Sequence, residues 1–355
     1  MTDSLHRTLI IRFSSVGDIV LSSLLVRTFR SRFPDCQLDY CVKEEYASLV
    51  RFNPHISNVI EFPKNGGFDE LKRLRRKIQQ SQYDLIIDIH DSLRSRYVCF
   101  GAKRVVRINK RKLARFLLVK LKLNVYERFG GAPSVALRYL EPVSEFGIED
   151  DGRGLEFFFA DDAAANVREL VQGSGFRVQE QFIGICPSAK HNNKMWLKER
   201  FVEVASTLSR TLNQPIVLFG FGENEVKCCS EIQNQIHNLK PEPKTLNLSG
   251  KISLTETAAM MDYCSIIISN DSGLMHIAAA RKRKVVAIFG PTVKELGFFP
   301  FGTESIVVEN KNLNCRPCTH IGLAACPKGH FKCMNEISIE QVVESANTLL
   351  QSRPQ

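Results

Sequence analysis

The sequence has no long hydrophobic run. Nowhere do about 18 apolar residues follow one another, so no membrane-spanning helix is expected. The amino-terminal stretch lacks the basic region, apolar core and small-residue cleavage site of a secretion signal, which predicts a cytosolic protein. No tract is rich in proline, serine or glutamine, and the apolar fraction of 44% and the charged fraction of 24% are those of globular proteins. Most of the chain should therefore fold, and its 355 residues suffice for two domains.

Negative charge is in the minority. The chain has 38 acidic residues against 48 lysines and arginines, which gives a net charge of +10 and an isoelectric point near 9.1. This balance favours an acidic partner: a nucleic acid, an anionic membrane surface or a phosphorylated substrate. Without a secretion signal, the eleven cysteines are expected to be free thiols or metal ligands rather than a disulfide framework.

Strand-like and helix-like patterns alternate along the chain in two series, the first beginning at Thr8 and the second near residue 180. Such alternation predicts parallel sheets that are covered on both faces by helices. We therefore predict an α/β protein of two Rossmann-like, doubly wound domains that face each other across a cleft. Their sites should lie at the carboxyl ends of the strands.

The domain limits are predicted from a Gly-Ser-Gly linker at residues 173–175, which follows a strand near Phe157 and a helix. The amino-terminal domain is then expected to span residues 1–172 and the carboxyl-terminal domain residues 176–335. Residues 336–355 have apolar positions at helical spacing and should form a last helix.

The stretch Arg12–Ser22 (RFSSVGDIVLS) predicts a strand, a short turn and a helix. Gly17 would let the backbone approach another group closely, and the amides of the helix start favour an anion or a substrate oxygen. Asp18 lies at this junction. Two roles remain open for it: a carboxylate that stabilises the helix dipole, and a general base.

The most specific stretch is Ile266–His276 (IIISNDSGLMH), in which a strand leads into a helix through Asn270, Asp271, Ser272 and Gly273. Amides of such a turn can hold a phosphate or diphosphate. Asp271 would cap the turn or meet a sugar hydroxyl. His276, in the first helical turn, is expected to contact the same ligand. The sequence GPT at residues 290–292 adds another glycine turn at the same sheet edge.

Two further stretches supply polar side chains at strand ends. Ser188, Lys190 and Lys194 belong to the loop in Cys186–Phe201 (CPSAKHNNKMWLKERF), where lysines suit a diphosphate leaving group, although solvated lysines are the simpler interpretation. In Phe219–Glu225 (FGFGENE) a glutamate at position 223 or 225 would bind ribose hydroxyls.

These stretches, in this order, resemble the heptosyltransferase family, glycosyltransferase family 9, whose GT-B fold has two Rossmann-like domains. The resemblance covers almost the whole chain, and its most specific part is the DSGxxHxAAA pattern that starts at Asp271, with FGPT at residues 289–292. The other matching pieces are RFSSVGD at residues 12–18, DIHDSLRS at 88–95, PSAKHNNKMW at 187–196, residues 216–225 and the cysteines from 315 to 333.

The resemblance implies an inverting, metal-independent transfer of heptose from an ADP-activated donor to the inner core of lipopolysaccharide. Asp18 would deprotonate the acceptor hydroxyl, with Asp91 as a second candidate base, and Lys194 would hold the diphosphate. Donor-binding and acceptor-binding roles are implied for further residues. The donor set is Ser188, Glu225, Asp271, Ser272, Gly273, Leu274 and His276, and the acceptor set is Ser15, Gly17, Asp91 and Arg94.

The chain departs from the family pattern at two places. It has Leu21-Ser22-Ser23 where relatives often carry Leu-Pro, and His90 and Asp91 stand in a motif that usually reads DxQGxxR/KS. Acceptor contacts are therefore expected to differ. Two other functions remain alternatives: a GT-B enzyme with another nucleotide-sugar donor, such as an epimerase, and a non-catalytic binder of nucleic acid or anionic membrane.

The basic segment Gly101–Asn124 holds nine lysines or arginines and no acid. It is interpreted either as a solvated helix face or, by the resemblance, as a surface for an anionic, lipid-linked acceptor at the inner membrane. No nucleic-acid partner is expected, because aromatic residues other than Phe116 are missing there. By the same resemblance, the last helix should pack back on the amino-terminal domain.

The cysteines at the carboxyl-terminal end have spacings that allow two interpretations. No cofactor is expected to be required for the reaction, but four thiolates are one way to hold a structural zinc ion, and free or redox-labile thiols are the other. The four candidate ligands are Cys315, Cys318, Cys326 and Cys333.

Overall fold

The computed structural model describes residues 5–129, 131–177 and 179–352. The chain forms two compact units. The first contains the chain up to Lys110 together with Val135–Phe158, and the second contains Arg111–Ser134 together with the chain from Phe159 onward. The ends of the predicted domains, residues 1–4 and 353–355, lie outside the described residues.

The first unit is built on a five-stranded sheet in which all printed neighbours are parallel. Its order, β3-β2-β1-β4-β5, is that of a Rossmann-like half, with the order reversing between β1 and β4. Apolar side chains of the central strands are fully buried, as expected for a sheet covered on both faces. The strands are β1 (Arg7–Ile11), β2 (Gln37–Lys43), β3 (Asn58–Phe62), β4 (Leu85–Asp88) and β5 (Val105–Arg107).

Helices connect these strands. The helix at Phe68–Gln80 is rich in lysine and arginine, and it buries Leu71, Leu74 and Ile78. Short 3₁₀ turns cover Glu44–Leu49 and Glu141–Phe146. The α-helices of this unit are α1 (Val16–Leu21), α2 (Ser23–Arg32), α3 (Phe68–Gln80), α4 (Leu93–Val98) and, after the excursion into the second unit, α6 (Val135–Arg138).

The second unit repeats this plan with six parallel strands in the order β11-β10-β9-β6-β7-β8. Here the order reverses between β6 and β9. Strand β6 is buried along its whole length, and Gly184 within it leaves room for Ile267, which a side chain at that position would strike. The strands are β6 (Phe182–Cys186), β7 (Ile216–Leu218), β8 (Thr245–Asn247), β9 (Cys264–Asn270), β10 (Lys284–Phe289) and β11 (Ser305–Glu309).

The helices of the second unit carry amphipathic or wholly apolar patterns that match their burial. Helix α11, for example, is alanine-rich and buried from its second residue to its last. The helices are α5 (Lys112–Phe116), α7 (Asp161–Gly173), α8 (Lys198–Leu212), α9 (Glu223–His237), α10 (Leu254–Met261), α11 (Gly273–Ala280), α12 (Lys332–Asn335) and α13 (Ile339–Gln351). A π-helical turn at Leu117–Leu121 continues α5, and 3₁₀ turns lie at Tyr126–Phe129, Asn192–Lys194 and Lys294–Leu296.

The predicted fold class is confirmed, and the two compact units have other limits than the predicted domains. The chain passes into the second unit at Phe159, before α7, because α7 packs against α10. The strand predicted near Phe157 does not form. Residues 111–134 also belong to the second unit, although they lie within the predicted amino-terminal domain.

The last helix forms as predicted. Helix α13 packs against α8 and the sheet strands β9, β10 and β11 of the second unit, and its packing on the amino-terminal domain stays a prediction. Val342, Ala346 and Leu349 lie at helical spacing and are buried in the core of that unit. Helix α13 therefore completes the layer that covers its own sheet.

Within the described part of the chain, no helix combines the length and the apolar character that a membrane crossing requires.

Candidate functional site

Each unit gathers polar side chains where its strand order reverses. In the first unit these side chains follow β1 and β4, and in the second they follow β6 and β9. Loops after neighbouring strands diverge at such a point and leave a crevice, which is where open α/β sheets bind ligands. Each unit therefore has its own candidate site at this point of its sheet.

Asp18 is the centre of the first site. It is the third residue of α1, and Ser15 precedes the helix as its cap, with the Ser15 hydroxyl 2.9 Å from Asp18 Oδ2. The guanidinium of Arg12 lies 2.7 Å from Asp18 Oδ1, and the Tyr139 hydroxyl donates to the same oxygen at 3.3 Å. Gly17 lies in the first turn of α1 beside them.

The charge of Asp18 is set by these contacts. Burial alone would raise its pKa, but the Arg12 guanidinium and the hydrogen bonds from Ser15 outweigh burial, so the pKa lies below its ordinary value. Burial raises the pKa of Tyr139 well above its ordinary value, so this phenol stays protonated and donates. At neutral pH, Asp18 is consequently an ionised carboxylate held by a cation and neutral donors.

The loop after β4 adds a second carboxylate. Asp91 is buried and pairs with Arg96 at 2.7 Å, while its carbonyl accepts from Lys110 Nζ at 3.1 Å. Arg94, predicted to bind the acceptor, is exposed on α4. Asp88, which sequence reasoning did not select, organises this turn by accepting from the amides of His90 and Asp91 at 3.1 and 2.8 Å.

His90 stands between the two carboxylate clusters of the first unit. Its ring packs edge-on against Phe13, with centroids 5.3 Å apart. Burial, together with the cations Arg12 and Lys110, lowers the pKa of His90 to about 3, so the imidazole is neutral at neutral pH. The neutral ring therefore adds no charge beside Asp18 and Arg12.

The second site is organised by Asp271. Lys194 Nζ lies 2.7 Å from Asp271 Oδ2, and the Thr292 hydroxyl donates to the same oxygen at 2.7 Å. Both charged side chains are largely buried, with 13% and 6% exposed. Asp271 thus joins the loop after β6 to the GPT stretch after β10, and its predicted role at the turn or on a sugar stays a prediction. Lys190, in contrast, is exposed.

The turn that carries Asp271 is fixed by its neighbour. Asn270 donates to the carbonyl of Pro187 at 2.6 Å and accepts from the amide of Trp196 at 3.1 Å. Ser272 then takes an extended backbone as the cap of α11, which begins at Gly273. The first amides of an α-helix have no partner within the helix, so this rigid turn offers donors to an anion next to Lys194.

Glu225 lies at the adjacent strand end. Its carboxylate accepts from the Phe221 amide at 2.8 Å, and burial raises its pKa above the ordinary value although that hydrogen bond acts in the opposite direction. Glu223, the other candidate for a ribose contact, is exposed at the start of α9. Of the two, Glu225 is the residue held in a fixed position.

Known proteins resemble this chain over nearly its full length. Residues 71–327 match the sequence profile of glycosyltransferase family 9 (heptosyltransferase). A lipooligosaccharide heptosyltransferase 2 of Campylobacter jejuni is 32% identical over 336 residues, which are 94% of this chain and 96% of the relative. The chain belongs to glycosyltransferase family 9. It is thus a glycosyltransferase, as the order of its motifs predicted.

Solved structures agree with the GT-B architecture expected of a family 9 enzyme. A family 9 glycosyltransferase from Veillonella parvula superposes with a TM-score of 0.80 at 22% identity, covering 97% of each chain. The E. coli ADP-heptose lipopolysaccharide heptosyltransferase II superposes with a TM-score of 0.73 at 22% identity, covering 97% of this chain and 98% of that one.

Three further residues that were predicted to bind the donor are buried. Ser188 and Leu274 are buried, at 3% and 6% exposure, after β6 and in α11. His276 is also buried and packs its ring against Phe298, with centroids 6.5 Å apart. Its expected ligand contact, like the other assigned roles, stays a prediction.

The zinc site at the carboxyl-terminal cysteines stays a prediction. Over the described residues, no three histidine, cysteine, aspartate or glutamate side chains lie close enough together to hold a metal ion. Cys333 is buried in α12, whereas Cys315, Cys318 and Cys326 are half-buried in the preceding loop, and all four are free thiols. Cys315 Sγ lies 3.9 Å from His330 Nε2.

Proposed function

We propose that this chain transfers a heptose from ADP-heptose to the inner core of lipopolysaccharide, with inversion at the anomeric carbon and without a metal ion. Membership of family 9 and the names of its relatives support the sugar, the nucleotide and the acceptor. The observation that carries the proposal is the buried pair of Lys194 and Asp271 at the start of α11. It provides a cation beside a helix start, which suits a departing diphosphate.

The donor would bind to the second unit. Its diphosphate would take the ammonium of Lys194 and the amides at Ser272 and Gly273, while Glu225 would bind a ribose hydroxyl. Asp271 and Thr292 hold Lys194 in place before the donor arrives, so little side-chain freedom is lost on binding. The charge that develops on ADP as its bond to the sugar breaks is stabilised by this fixed cation.

The acceptor would bind to the first unit. An acceptor hydroxyl oxygen forms the new bond to the anomeric carbon, the bond from that carbon to the diphosphate oxygen breaks, and Asp18 receives the hydroxyl proton. Arg12 keeps Asp18 ionised and therefore able to accept it. Ser15, Gly17, Asp91 and Arg94 would contribute to acceptor binding. The acceptor is lipid-linked and anionic, so the enzyme would work in the cytoplasm at the inner membrane surface.

Calorimetric titration tests the donor half of the proposal. We expect ADP-heptose and ADP to bind and UDP-sugars to bind at least about tenfold more weakly. Lys194→Ala should weaken ADP binding by about tenfold to a hundredfold, because hydrogen bonds to charged groups contribute about 1.5–3 kcal/mol. Lys190→Ala is the matched control, since this exposed neighbour should leave affinity unchanged. A preference for uridine nucleotides would contradict the assigned donor.

Turnover measurements test the acceptor half. ADP release should require the acceptor, whereas an epimerase would act on the donor without one. Asp18→Asn should lower the rate by about 10²–10⁴-fold with donor affinity nearly unchanged, which is the usual contribution of a general base. Asp91→Asn serves as the comparison: if this variant loses turnover and Asp18→Asn retains it, the base is Asp91.

A further inference from the structure

The segment that follows Arg111 exposes large apolar side chains. Helix α5 and the π-helical turn after it present them on one side and at the carboxyl-terminal end, where 53–61% of their surface is exposed. The exposed apolar residues are Leu113, Phe116, Leu121 and Leu123. Contiguous exposure of this kind in a folded chain marks an interaction surface more often than scattered single residues do.

The opposite side of the segment is anchored. Ala114 and Leu118 are buried with Tyr126, and they pack against Leu296, which is distant in sequence but in the same unit. The Asn124 amide donates to Glu295 at 3.0 Å. Packing of Ala114 and Leu118 therefore sets the outward orientation of Leu113 and Phe116, which belong to an ordered segment.

The charged residues within the segment have one sign. No aspartate or glutamate occurs from Gly101 to Tyr126, and Lys112 and Lys120 are exposed on the same side of the helix as Leu113 and Phe116, at a spacing of three to four residues. We call the exposed side chains of residues 112, 113, 116, 120, 121 and 123 the basic apolar face.

A neighbouring loop extends this face. Lys122 Nζ donates to the carbonyl of Pro317, so the loop of residues 315–331 lies against the end of the segment. Ile321 and Leu323 of this loop are exposed by 55% and 38%. The Leu323 amide donates to Asn193 Oδ1 at 2.8 Å, which holds this part of the loop on the remainder of the second unit.

We propose that the basic apolar face docks on an anionic phospholipid bilayer. Leucine and phenylalanine side chains enter the boundary between headgroups and acyl chains, and the lysines interact with lipid phosphates, as in interfacial amphipathic helices. Nucleic acid fits less well, because Phe116 is the only aromatic side chain on the face and stacking needs several. The inference deepens the proposed function and rests on it, since the face would bring the enzyme to its lipid-linked acceptor.

Vesicle flotation of the full chain tests the docking without donor or acceptor. The wild type should float with phosphatidylglycerol-containing vesicles and not with pure phosphatidylcholine vesicles. Lys112→Gln/Lys120→Gln should weaken binding by about 25-fold, because each cation near an anionic surface contributes about fivefold. Leu113→Ser/Phe116→Ser should weaken it by at least about tenfold through lost insertion. Phe52→Ser and Lys240→Gln/Lys251→Gln, at exposed positions elsewhere, are the matched controls and should float like the wild type.

The outcomes separate this inference from the proposed function. Leu113→Ser/Phe116→Ser should transfer sugar to a water-soluble, delipidated acceptor at the wild-type rate while failing to float. Loss of flotation in the control variants as well, or wild-type flotation in both face variants, would overturn the docking surface. A concentration-dependent dimer that only the face variants lose would also overturn it, because a second copy would then cover the face. Flotation without any sugar transfer would instead count against the proposed function alone.

Discussion

Arg12 is the residue on which the chemistry of the first site depends. It pairs with Asp18 at 2.7 Å and donates to the carbonyl of Ile89 at 2.8 Å, so one side chain joins the carboxylate after β1 to the loop after β4. Without this cation, burial would dominate and favour the protonated form of Asp18. In the proposed reaction, Arg12 is accordingly a positioning residue that also sets the charge of Asp18.

The pH profile of transfer tests this role. In Arg12→Gln, burial is no longer opposed by the guanidinium, so the pKa of Asp18 should rise. A protonated Asp18 cannot accept the hydroxyl proton, and kcat/KM should therefore begin to fall at a higher pH on the acidic side than in the wild type. Arg12→Lys keeps the cation and should restore most of the wild-type acidic limb. An unchanged acidic limb in Arg12→Gln would mean that another group titrates in the rate.

The candidate residues were predictable from sequence, but most of their partners were not. Asp18, Lys194 and Asp271 follow from residue type and from their place after a strand. The Tyr139 hydroxyl that meets Asp18 lies 121 positions away, and only the folded chain reveals the contact. Lys190 and Lys194 carry the same charge, so sequence does not tell them apart. In the structure, Lys194 is the one of the two that pairs with a carboxylate, that of Asp271.

At the scale of elements, the local sequence pattern was sufficient to predict the strands and helices that are buried. Strands β6, β9 and β10 are nearly continuous apolar runs, and α11 follows β9 after a turn whose residues mark its start. Strand β5 was missed because its three residues are only partly buried and sit in a basic stretch. Hydrophobic period gives the identity of an element but not the surface on which it packs. This is why α7 and residues 111–134 belong to a different compact unit from the one expected.

A stability measurement tests the packing of helix α13 on the second unit. Leu349 is buried against the second unit, so Leu349→Ala should lower the free energy of unfolding of that unit by about 2–5 kcal/mol through lost burial and the cavity left behind. Glu344→Ala, on the exposed side of the same helix, should change it by about 0.5 kcal/mol or less. Hydrogen exchange should locate the loss in β9 and β10. If exchange increased in the first unit instead, α13 would be stabilising that unit.

For the whole molecule, the proposed function gives the two units different roles, and both units contribute to one net charge. Each contains a reversal point with its own ion pair, Arg12 with Asp18 and Lys194 with Asp271, in which a cation fixes a carboxylate. Outside these pairs the chain still carries a net charge of +10. This excess positive charge is not part of either ion pair. We therefore expect it to affect how the protein encounters anionic substrates.

Salt should therefore change the encounter and not the chemical step. With saturating donor, kcat/KM for an anionic lipid-linked acceptor should fall severalfold as sodium chloride rises from low to physiological concentration, because the Debye length shrinks to about 8 Å at 0.15 M. The value of kcat should stay nearly constant, since Asp18 and Lys194 are partly shielded from solvent. An acceptor stripped of its phosphates is the matched control and should show a shallower dependence. Equal slopes for both acceptors, or a parallel fall in kcat, would mean that the positive charge of this protein serves some purpose other than drawing in its acceptor.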